Sequence, residues 1–448
     1  MGKIFISRAY YPDEGLWPDL CLRAEAAKDN VRAAVEQIVQ KIRSQGDAAL
    51  LEYGRLFDKV SLQNLQVSQE QIDSSGMKID DSLKAAIRTA AGTIHNFHVA
   101  QRPVNEKVET FPGVVCWRKA VPLDCVGIYI PGGTAPLFST VLMLALPAAL
   151  AGCREIVLCT PPRPDGTIAP AILYAAKLAG VTRVYSIGGA QAIAAMAYGT
   201  QTIPRVNKIV GPGNAYVTCA KQLVALDGVA IDMPAGPSEV MVVADMEANP
   251  SLVAADILSQ AEHGRDSQSM LVLISPDKND AARFLNAVDD ELQDQISSLA
   301  RAEYIEASLS HSRAIVVDNE DKACRFVNFY APEHLIIQTA VPEAIEELIR
   351  NAGSVFLGPW SPESAGDYAS GTNHTLPTGG WAVSYSGVSL DTFYKKITVQ
   401  KLSSEGLEGL GPTVVALAQG EGLEAHARAV TIRLKLLQAT EKQEEIKK

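Results

Sequence analysis

The sequence predicts an α/β fold of two Rossmann-like, doubly wound lobes, with small helical segments at the N- and C-termini. The chain has 448 residues, which is more than one ordinary hydrophobic core accommodates. Between about residues 114 and 360, short apolar runs alternate with Ala-rich helical segments, the pattern of parallel strands covered by helices on both faces. Nine strands are more than a single doubly wound sheet ordinarily contains, so two sheets are expected.

The predicted strands are the apolar runs bounded by Gly, Pro or polar residues. They lie at 126–130, 155–159, 183–187, 208–210, 241–244, 270–274, 314–317, 335–338 and 354–357. The amphipathic stretches between and around them predict helices. These include 31–45, 80–98, 168–178, 214–226, 252–263 and the stretch from 412 to 437. The apolar stretch 135–153 is as long as a membrane span, but it contains Pro136 and Pro147, so we expect a buried helix.

Composition and charge narrow the class of protein. Hydrophobic residues make up 47% of the chain and charged residues 20%, as in globular proteins. A net charge of −11 argues against a nucleic-acid partner, although backbone N–H groups can still bind an anionic cofactor locally. The seven cysteines are odd in number and form no C-x-x-C motif, which indicates reduced thiols. With no secretory signal visible, we expect a cytoplasmic protein without membrane partners.

Four Gly- and Pro-rich loops are expected to lie at the ends of strands and to lead into helices. They span 131–134, 188–191, 211–214 and 234–239. Loops of this kind lie at the carboxyl ends of parallel strands, where α/β proteins bind ligands, and glycine lets the backbone approach a phosphate. Each loop could instead be only a tight turn. Because no G-x-G-x-x-G motif is present, the loops predict a site for a small anionic molecule without identifying it.

Polar side chains suited to acid–base and metal chemistry occur in four further stretches. Glu333 and His334 are adjacent, and a histidine beside a carboxylate suits a general base and its helper. Asp256, Gln260 and His263 share one face of a predicted helix, which could equally be a solvent-exposed polar face. Each of the other candidates also has an ordinary alternative, such as a turn or a surface position. These candidates are Asp367, Glu421 and His426.

The motifs Ser-Gln-Ala-Glu-His (259–263), Ala-Pro-Glu-His (331–334), Gly-Asp-Tyr-Ala-Ser-Gly-Thr-Asn-His (366–374) and Glu-Gly-Leu-Glu-Ala-His (421–426) resemble those of the histidinol dehydrogenase family. The resemblance runs from about residue 30 to about residue 435. It implies a zinc- and NAD-dependent, four-electron oxidation of L-histidinol to L-histidine through L-histidinal and its hydrate, the last two steps of histidine biosynthesis. The alternative is a family relative that oxidises another small polyol, such as a sulfonated diol, with the same zinc and histidine chemistry.

The same resemblance assigns roles to individual residues. It implies that Glu333 and His334 are catalytic and that one zinc ion per subunit is bound by Gln260, His263, Asp367 and His426. The implied NAD-binding residues are Tyr129, Gln191 and Asn214. The implied substrate-binding residues are Ser238, Gln260, His263, His334, Asp367, Glu421 and His426. Glu421 and His426 would reach the neighbouring subunit, so the resemblance also implies a domain-exchanged homodimer with shared active sites.

We therefore divide the chain into four parts. Residues 1–28 form an N-terminal segment, and residues 29–128 plus 244–388 form the lobe with the metal and catalytic residues. Residues 129–243 form the NAD-binding lobe, and residues 389–448 form a C-terminal helical segment that reaches the partner subunit.

Two aspects of the chemistry stay open on sequence grounds. Oxidation of an aldehyde needs a tetrahedral adduct, which could be a thiohemiacetal on Cys116 or Cys153, or a hydrate formed by water that Glu333 activates. No histidine adjoins either cysteine in the sequence, so the hydrate is expected. A zinc hydrolase and a non-catalytic binding module are the other two classes. The residues at the implied NAD-binding positions argue against a zinc hydrolase. The Glu333–His334 pair argues against a non-catalytic binding module.

Overall fold

The computed structural model describes residues 6–23, 28–132, 136–234 and 236–447. The chain forms two compact units. One comprises Met1–Gln101 and Leu123–Phe393, and the other comprises Arg102–Pro122 and Tyr394–Lys448.

The strands of the described residues are numbered in chain order. They are β1 (Ser7–Tyr10), β2 (Lys107–Phe111), β3 (Val114–Pro122), β4 (Cys125–Tyr129), β5 (Glu155–Thr160), β6 (Arg183–Ser186), β7 (Lys208–Val210), β8 (Ala230–Ile231), β9 (Glu239–Ala244), β10 (Gln268–Ile274), β11 (Arg313–Val317), β12 (His334–Gln338), β13 (Ser354–Leu357) and β14 (Tyr394–Leu402). Each of the nine predicted strands is present, with bounds at most two residues from those predicted.

The α-helices are numbered in the same way. They are α1 (Trp17–Leu20), α2 (Lys28–Gln45), α3 (Asp47–Tyr53), α4 (Gln69–Ser74), α5 (Asp81–Val99), α6 (Phe138–Ala151), α7 (Pro170–Leu178), α8 (Gly189–Tyr198), α9 (Ala215–Leu226), α10 (Pro250–Ala261), α11 (Lys278–Ile296), α12 (Ala302–Leu309), α13 (Glu320–Tyr330), α14 (Pro342–Glu346), α15 (Glu363–Tyr368), α16 (Ser404–Gly420) and α17 (Glu424–Lys447). A short π-helical turn, Gly54–Asp58, follows α3 directly.

The first unit contains two parallel sheets with the same winding. One has five strands in the order β6-β5-β4-β7-β8, and the other has six in the order β1-β11-β10-β9-β12-β13. Apart from β1, which adds to the outer edge beside β11, the chain starts each sheet at an inner strand, β4 or β9, builds outward on one side and then returns to the other side. Each sheet is therefore doubly wound, with a switch point between β4 and β7 or between β9 and β12. The predicted α/β class with two doubly wound sheets is confirmed.

Both sheets are covered by helices, as continuous apolar strands require. In the six-stranded sheet, alternate residues of β9 point to opposite faces: Val240 and Val242 share a core with α10, α11 and α12, whereas Met241 and Val243 share one with α13. In the five-stranded sheet, α2, α3, α8 and α9 share one core, and α6 packs against β4 and β5. The lobe boundaries placed at residues 28, 128, 243 and 388 stay predictions.

The buried helix predicted at 135–153 is α6, most of whose residues are buried. Within the ranges that the structure describes, none of the helices combines the length and the apolar character needed to cross a bilayer.

The second unit differs from the predicted helical C-terminal segment. It contains an antiparallel sheet in the order β14-β3-β2, besides α16 and α17. Strand β14 has the sequence Tyr-Lys-Lys-Ile-Thr-Val-Gln-Lys-Leu, and no residue in it is fully buried, so it lacks the apolar run by which the other strands were predicted. The helix predicted from 412 to 437 is divided in two near Gly422, whose φ of +74° ends the first helix.

Candidate active site

Glu333 and His334 lie at the amino end of β12, in the interior of the six-stranded sheet. Their exposed fractions are only 5% and 3%. The backbone before the strand is tightly held, because the N–H groups of Gly353 and Ser354 donate to the carbonyls of Pro332 and Glu333 at 2.9 Å each. A Cβ atom on Gly353 would lie 2.5 Å from the Glu333 carbonyl oxygen. Only glycine therefore permits this close approach.

The first residue of β9, Glu239, fixes both side chains through its backbone. Its N–H donates to Oε2 of Glu333 at 2.9 Å, and its carbonyl oxygen lies 3.2 Å from Nδ1 of His334. With a carbonyl as partner, Nδ1 carries the hydrogen. Nε2 of His334, the nitrogen left to accept a proton, lies 3.5 Å from Oδ1 of Asp367.

Three carboxylates surround the imidazole of His334. Besides Asp367, Oε1 of Glu363 lies 3.6 Å from Nδ1 and Oε2 of Glu333 lies 3.8 Å from it. Burial alone would lower the pKa of His334, but the charges of Glu363, Glu333 and Asp367 outweigh burial and hold the pKa well above its usual value. Burial raises the pKa of Glu333 to about 8 and that of Glu363 to about 8. Carboxyl groups with a pKa of about 8 suit proton transfer near neutral pH.

A group of metal-ligating side chains adjoins this pair. His263, Glu363 and Asp367 bring ligand atoms within 4.8 Å of one another, with Nε2 of His263 4.0 Å from Oδ2 of Asp367. Gln260 is in the last turn of α10, a helix that packs against α15, and His263 lies two residues beyond the end of α10. The Gln260 side chain is fully buried, and its amide oxygen and nitrogen both lack a hydrogen-bond partner. A buried, unsatisfied amide beside a histidine and two carboxylates fits a metal site.

The helical row that begins at Asp256 is not a solvent-exposed face. Asp256 is 6% exposed and accepts a hydrogen bond from Nε2 of Gln338 at 2.5 Å. Both Asp256 and Gln260 thus lie inside the protein, and the surface interpretation of these two residues is wrong. The side chain of His263, at the end of the row, is 47% exposed.

The loop after Asp367 is anchored on helix α6. Nδ1 of His374 lies 2.8 Å from the Asp367 carbonyl oxygen, and its Nε2 lies 3.0 Å from the Thr140 hydroxyl. Nδ2 of Asn373 donates to the Met143 carbonyl at 2.6 Å. The two α6 residues belong to the crossover between β4 and β5, so a helix of the five-stranded sheet holds the loop that follows Asp367.

The three residues predicted to bind NAD line one cleft of about 800 Å³. Tyr129 ends β4 at the carboxyl edge of the five-stranded sheet, and its hydroxyl accepts a hydrogen bond from the Gly189 N–H at 3.0 Å. Gln191 is buried in the first turn of α8. Asn214 caps α9, its side chain accepting from the N–H groups of Tyr216 and Val217 at 3.1 Å each. The cleft therefore lies at the switch point, beside two helix N-termini, as expected for a phosphate-containing ligand.

A buried ion pair fixes the loop on one side of this cleft. Nζ of Lys221 donates to the Gly211 carbonyl at 2.9 Å, and the Gly211 N–H donates to Oδ2 of Asp232 at 2.7 Å. Lys221 and Asp232 also pair with each other, with side chains only 4% and 1% exposed. Gly211 has a φ of +126°, and a Cβ there would lie 2.1 Å from the Tyr129 carbonyl oxygen. The loop is thus held where only glycine fits.

Ser238, predicted to contact the substrate, is half-buried and directly precedes Glu239. It lies on the segment that leaves the carboxyl end of β8 and enters β9 at its amino end. The predicted loop at 234–239 therefore joins two strands, one from each sheet, rather than a strand and a helix. Gly133, Thr134 and Ala235 of the predicted loops lie outside the described residues.

Glu363 is a site residue that sequence reasoning missed. The available signal was its position four residues before Asp367, which places both carboxylates on one face of α15. The two candidate cysteines lie on other elements. Cys116 lies in β3 of the second unit, whereas Cys153 is buried before the amino end of β5, where burial raises its pKa to about 11.

Glu421 and His426 lie in the second compact unit, near the reversal between α16 and α17. Glu421 caps the end of α16, and His426 is in the first turn of α17. Both side chains are exposed. Their assignment to a metal and substrate site stays a prediction.

Taken with the fold, the cleft and the buried acid–base cluster define an α/β enzyme. The family model described as histidinol dehydrogenase matches residues 21–434. The chain belongs to the histidinol dehydrogenase family, and it is an oxidoreductase.

Individual relatives are similar over nearly the whole chain. A histidinol dehydrogenase of Bacteroides thetaiotaomicron is 55% identical over 427 residues, which cover 95% of this chain and 98% of the relative. One of Vibrio cholerae is 53% identical over 411 residues, covering 91% and 93%. The crystal structure of histidinol dehydrogenase from Elizabethkingia anophelis superposes with a TM-score of 0.94 at 48% identity, covering 98% of this chain and all of that one.

Proposed function

We propose that the chain oxidises L-histidinol to L-histidine in two NAD-linked steps, through L-histidinal and its hydrate, at a site that also binds zinc. The observation that carries the proposal is the position of His334. One of its ring nitrogens is held by the Glu239 carbonyl, and the other faces Asp367 of the metal-ligating group. Family membership points to L-histidinol as the substrate, and the position of His334 makes it suitable as the general base.

His334 and Glu333 share the proton transfers in this proposal. Nε2 of His334 removes the hydroxyl proton in the first oxidation and the hydrate proton in the second. Glu333 activates the water that adds to the aldehyde, for which a carboxylate with a pKa of about 8 is a suitable base. NAD, when bound, supplies the hydride acceptor for both oxidations. Tyr129, Gln191 and Asn214 would hold it, since all three line the same cleft.

The zinc ligands would be Gln260, His263 and Asp367 of one subunit and His426 of its partner. The fit rests on the unsatisfied amide of Gln260 and on the proximity of His263 to Asp367. A bound divalent cation adds positive charge beside His334 and would bring its raised pKa down towards neutrality, as a general base requires. Glu363, whose Oε2 is buried without a partner, lies close enough to assist in the same group.

A hydrate is favoured over a thiohemiacetal because no suitable thiol adjoins His334 among the described residues. Burial raises the pKa of Cys153 to about 11, so it is overwhelmingly protonated at neutral pH. Glu333, in contrast, lies 3.8 Å from the imidazole. The hydrate route needs only these two residues and water.

The second unit supports the proposed homodimer with shared sites. Its two long helices and the turn between them expose large apolar side chains close in sequence to Glu421 and His426. These are Leu417, Leu423, Ile432 and Leu436. A partner subunit that covers them would also receive His426 at its metal site.

Metal removal tests the zinc requirement. Chelation should abolish NADH formation from L-histidinol, and added zinc should restore it. His263→Asn should lose both zinc and activity, because an amide is a poor substitute for imidazole. His95→Asn, at an exposed histidine of α5, is the matched control and should keep both. Stoichiometric zinc in the His263 variant would contradict the ligand assignment, and turnover of another polyol in preference to histidinol would contradict the substrate.

A further inference from the structure

We propose that Arg23 of the N-terminal segment is a positioning residue that sets the geometry of Glu333 and His334. The inference rests on the proposed function for its kinetic consequence, but its structural consequence can be measured separately. Arg23 acts through Glu239 and Tyr330, which flank the catalytic pair on two different elements.

The Arg23 guanidinium bridges these two elements directly. Its Nε and Nη2 donate to the two carboxylate oxygens of Glu239 at 2.6 and 3.0 Å. Nη2 also donates to the Tyr330 carbonyl at 2.7 Å, and the guanidinium lies 4.0 Å from the centre of the Tyr330 ring. A planar fork with several donors can make all these contacts at once, whereas an ammonium cannot.

Glu239 passes this restraint to the site through its own backbone. Its N–H holds the Glu333 carboxylate and its carbonyl holds the His334 ring. Oε1 of Glu239 also accepts from the Gly379 N–H at 2.6 Å. With an exposed fraction of 2%, Glu239 is a buried carboxylate. Losing its cation would leave it uncompensated, so the start of β9 would have to move or admit water.

Tyr330 restrains the other side of the pair. It ends α13 and is followed by Ala331, whose φ of +53° lies in the left-handed region, and then by Pro332 and Glu333. The Tyr330 hydroxyl donates to Oε1 of Gln268 at 2.8 Å, and Nε2 of Gln268 donates to the Leu22 carbonyl at 3.0 Å. The residue before Arg23 is thus tied to the same network, which fixes where the guanidinium lies.

Arg8 offers a matched control in the same N-terminal segment. Arg8 pairs with the buried carboxylate of Asp289 and donates to Oδ1 of Asn286 at 2.9 Å. The side-chain exposures are 21% and 7% for Arg8 and Asp289, against 25% and 3% for Arg23 and Glu239. The Arg8 pair, however, joins β1 to α11 and touches neither Glu333 nor His334. The two arginines differ chiefly in what lies beyond the carboxylate.

The experiment compares Arg23→Met, Arg23→Lys and Arg8→Met in the full-length, zinc-loaded protein. Both Arg23 variants should lose kcat by on the order of 10- to 100-fold, the usual effect of displacing catalytic groups by about an ångström, while the KM for NAD stays within about twofold. Arg8→Met should lower Tm to a similar extent but keep kcat. If either Arg23 variant turns over as fast as Arg8→Met, Arg23 has no positioning role.

Crystal structures of the same variants separate this inference from the proposed function. In Arg23→Met, the hydrogen bond between the Glu239 N–H and Glu333 should be broken, and in Arg8→Met it should remain. An intact bond in Arg23→Met overturns the inference whatever the activity. A wild-type protein that fails to oxidise histidinol overturns the proposed function instead.

Discussion

At the scale of the residue, the acid–base centre is one imidazole, that of His334, among three carboxylates. The sequence placed Glu333 beside His334, because the two are adjacent in the chain. It could not show that Glu363 also faces His334, since that contact depends on α15 folding back against β12. It also gave no sign that Glu239 holds the pair, because that role depends on hydrogen bonds of the Glu239 backbone and on the contact of its side chain with Arg23. Adjacency in sequence thus revealed the reacting groups but not the groups that hold them.

The roles of the catalytic pair can be separated by substitution. His334→Asn should slow both oxidations by on the order of 10²–10⁴-fold, because each needs removal of a proton. Glu333→Gln should chiefly slow the step from aldehyde to acid, since only that step needs activated water. Supplying histidinal directly isolates this step in a stopped-flow measurement of NADH. If Glu333→Gln oxidises histidinal normally yet fails on histidinol, the two roles are reversed.

At the scale of the element, the two sheets share one strand order apart from β1. Their candidate sites, however, lie at opposite ends of the strands. The cleft lies at the carboxyl ends of β4 and β7, as the glycine loops predicted. The catalytic pair, however, lies at the amino ends of β9 and β12. Sequence patterns gave the strands themselves well, because buried parallel strands are continuous apolar runs. The same patterns did not predict β14, because its lysine-rich, half-exposed sequence lacks such a run.

The buried Lys221–Asp232 ion pair behind the Gly211 loop leads to a testable prediction at this scale. Asp232→Asn should lower the free energy of unfolding by roughly 3–5 kcal/mol, because Lys221 would remain buried without its partner. It should also raise the KM for NAD, since the loop that carries Asn214 loses its anchor. The control is Glu155→Gln in the pair with Arg183, whose side chains are 37% and 39% exposed, and it should cost less than about 1 kcal/mol. Equal effects in urea unfolding would contradict the account.

At the scale of the whole molecule, the proposed zinc ligands divide between the two units. Gln260, His263 and Asp367 belong to the first unit, and His426 belongs to the second. The sequence predicted this division only through family resemblance, because spacing along the chain carries no information about which subunit completes a site. The exchanged homodimer therefore stays a proposal.

Mixing two inactive variants tests the proposed exchanged homodimer. Homodimers of His263→Asn and of His426→Asn should each be inactive, but subunit exchange between them should restore about a quarter of wild-type activity, because half the dimers are mixed and each has one intact site. Mixing wild type with a His263→Asn/His426→Asn double variant is the control and should halve the activity present before exchange. If mass measurement confirms exchange and the single variants do not complement, His426 does not serve a neighbouring subunit.

The central claim is that one site carries out both oxidations, with Glu333 and His334 acting in turn. The most direct test counts NADH formed per molecule of L-histidinol consumed when NAD is in excess. We expect two NADH and one L-histidine per histidinol, with no free aldehyde trapped by semicarbazide. A plateau at one NADH with histidinal released would contradict it.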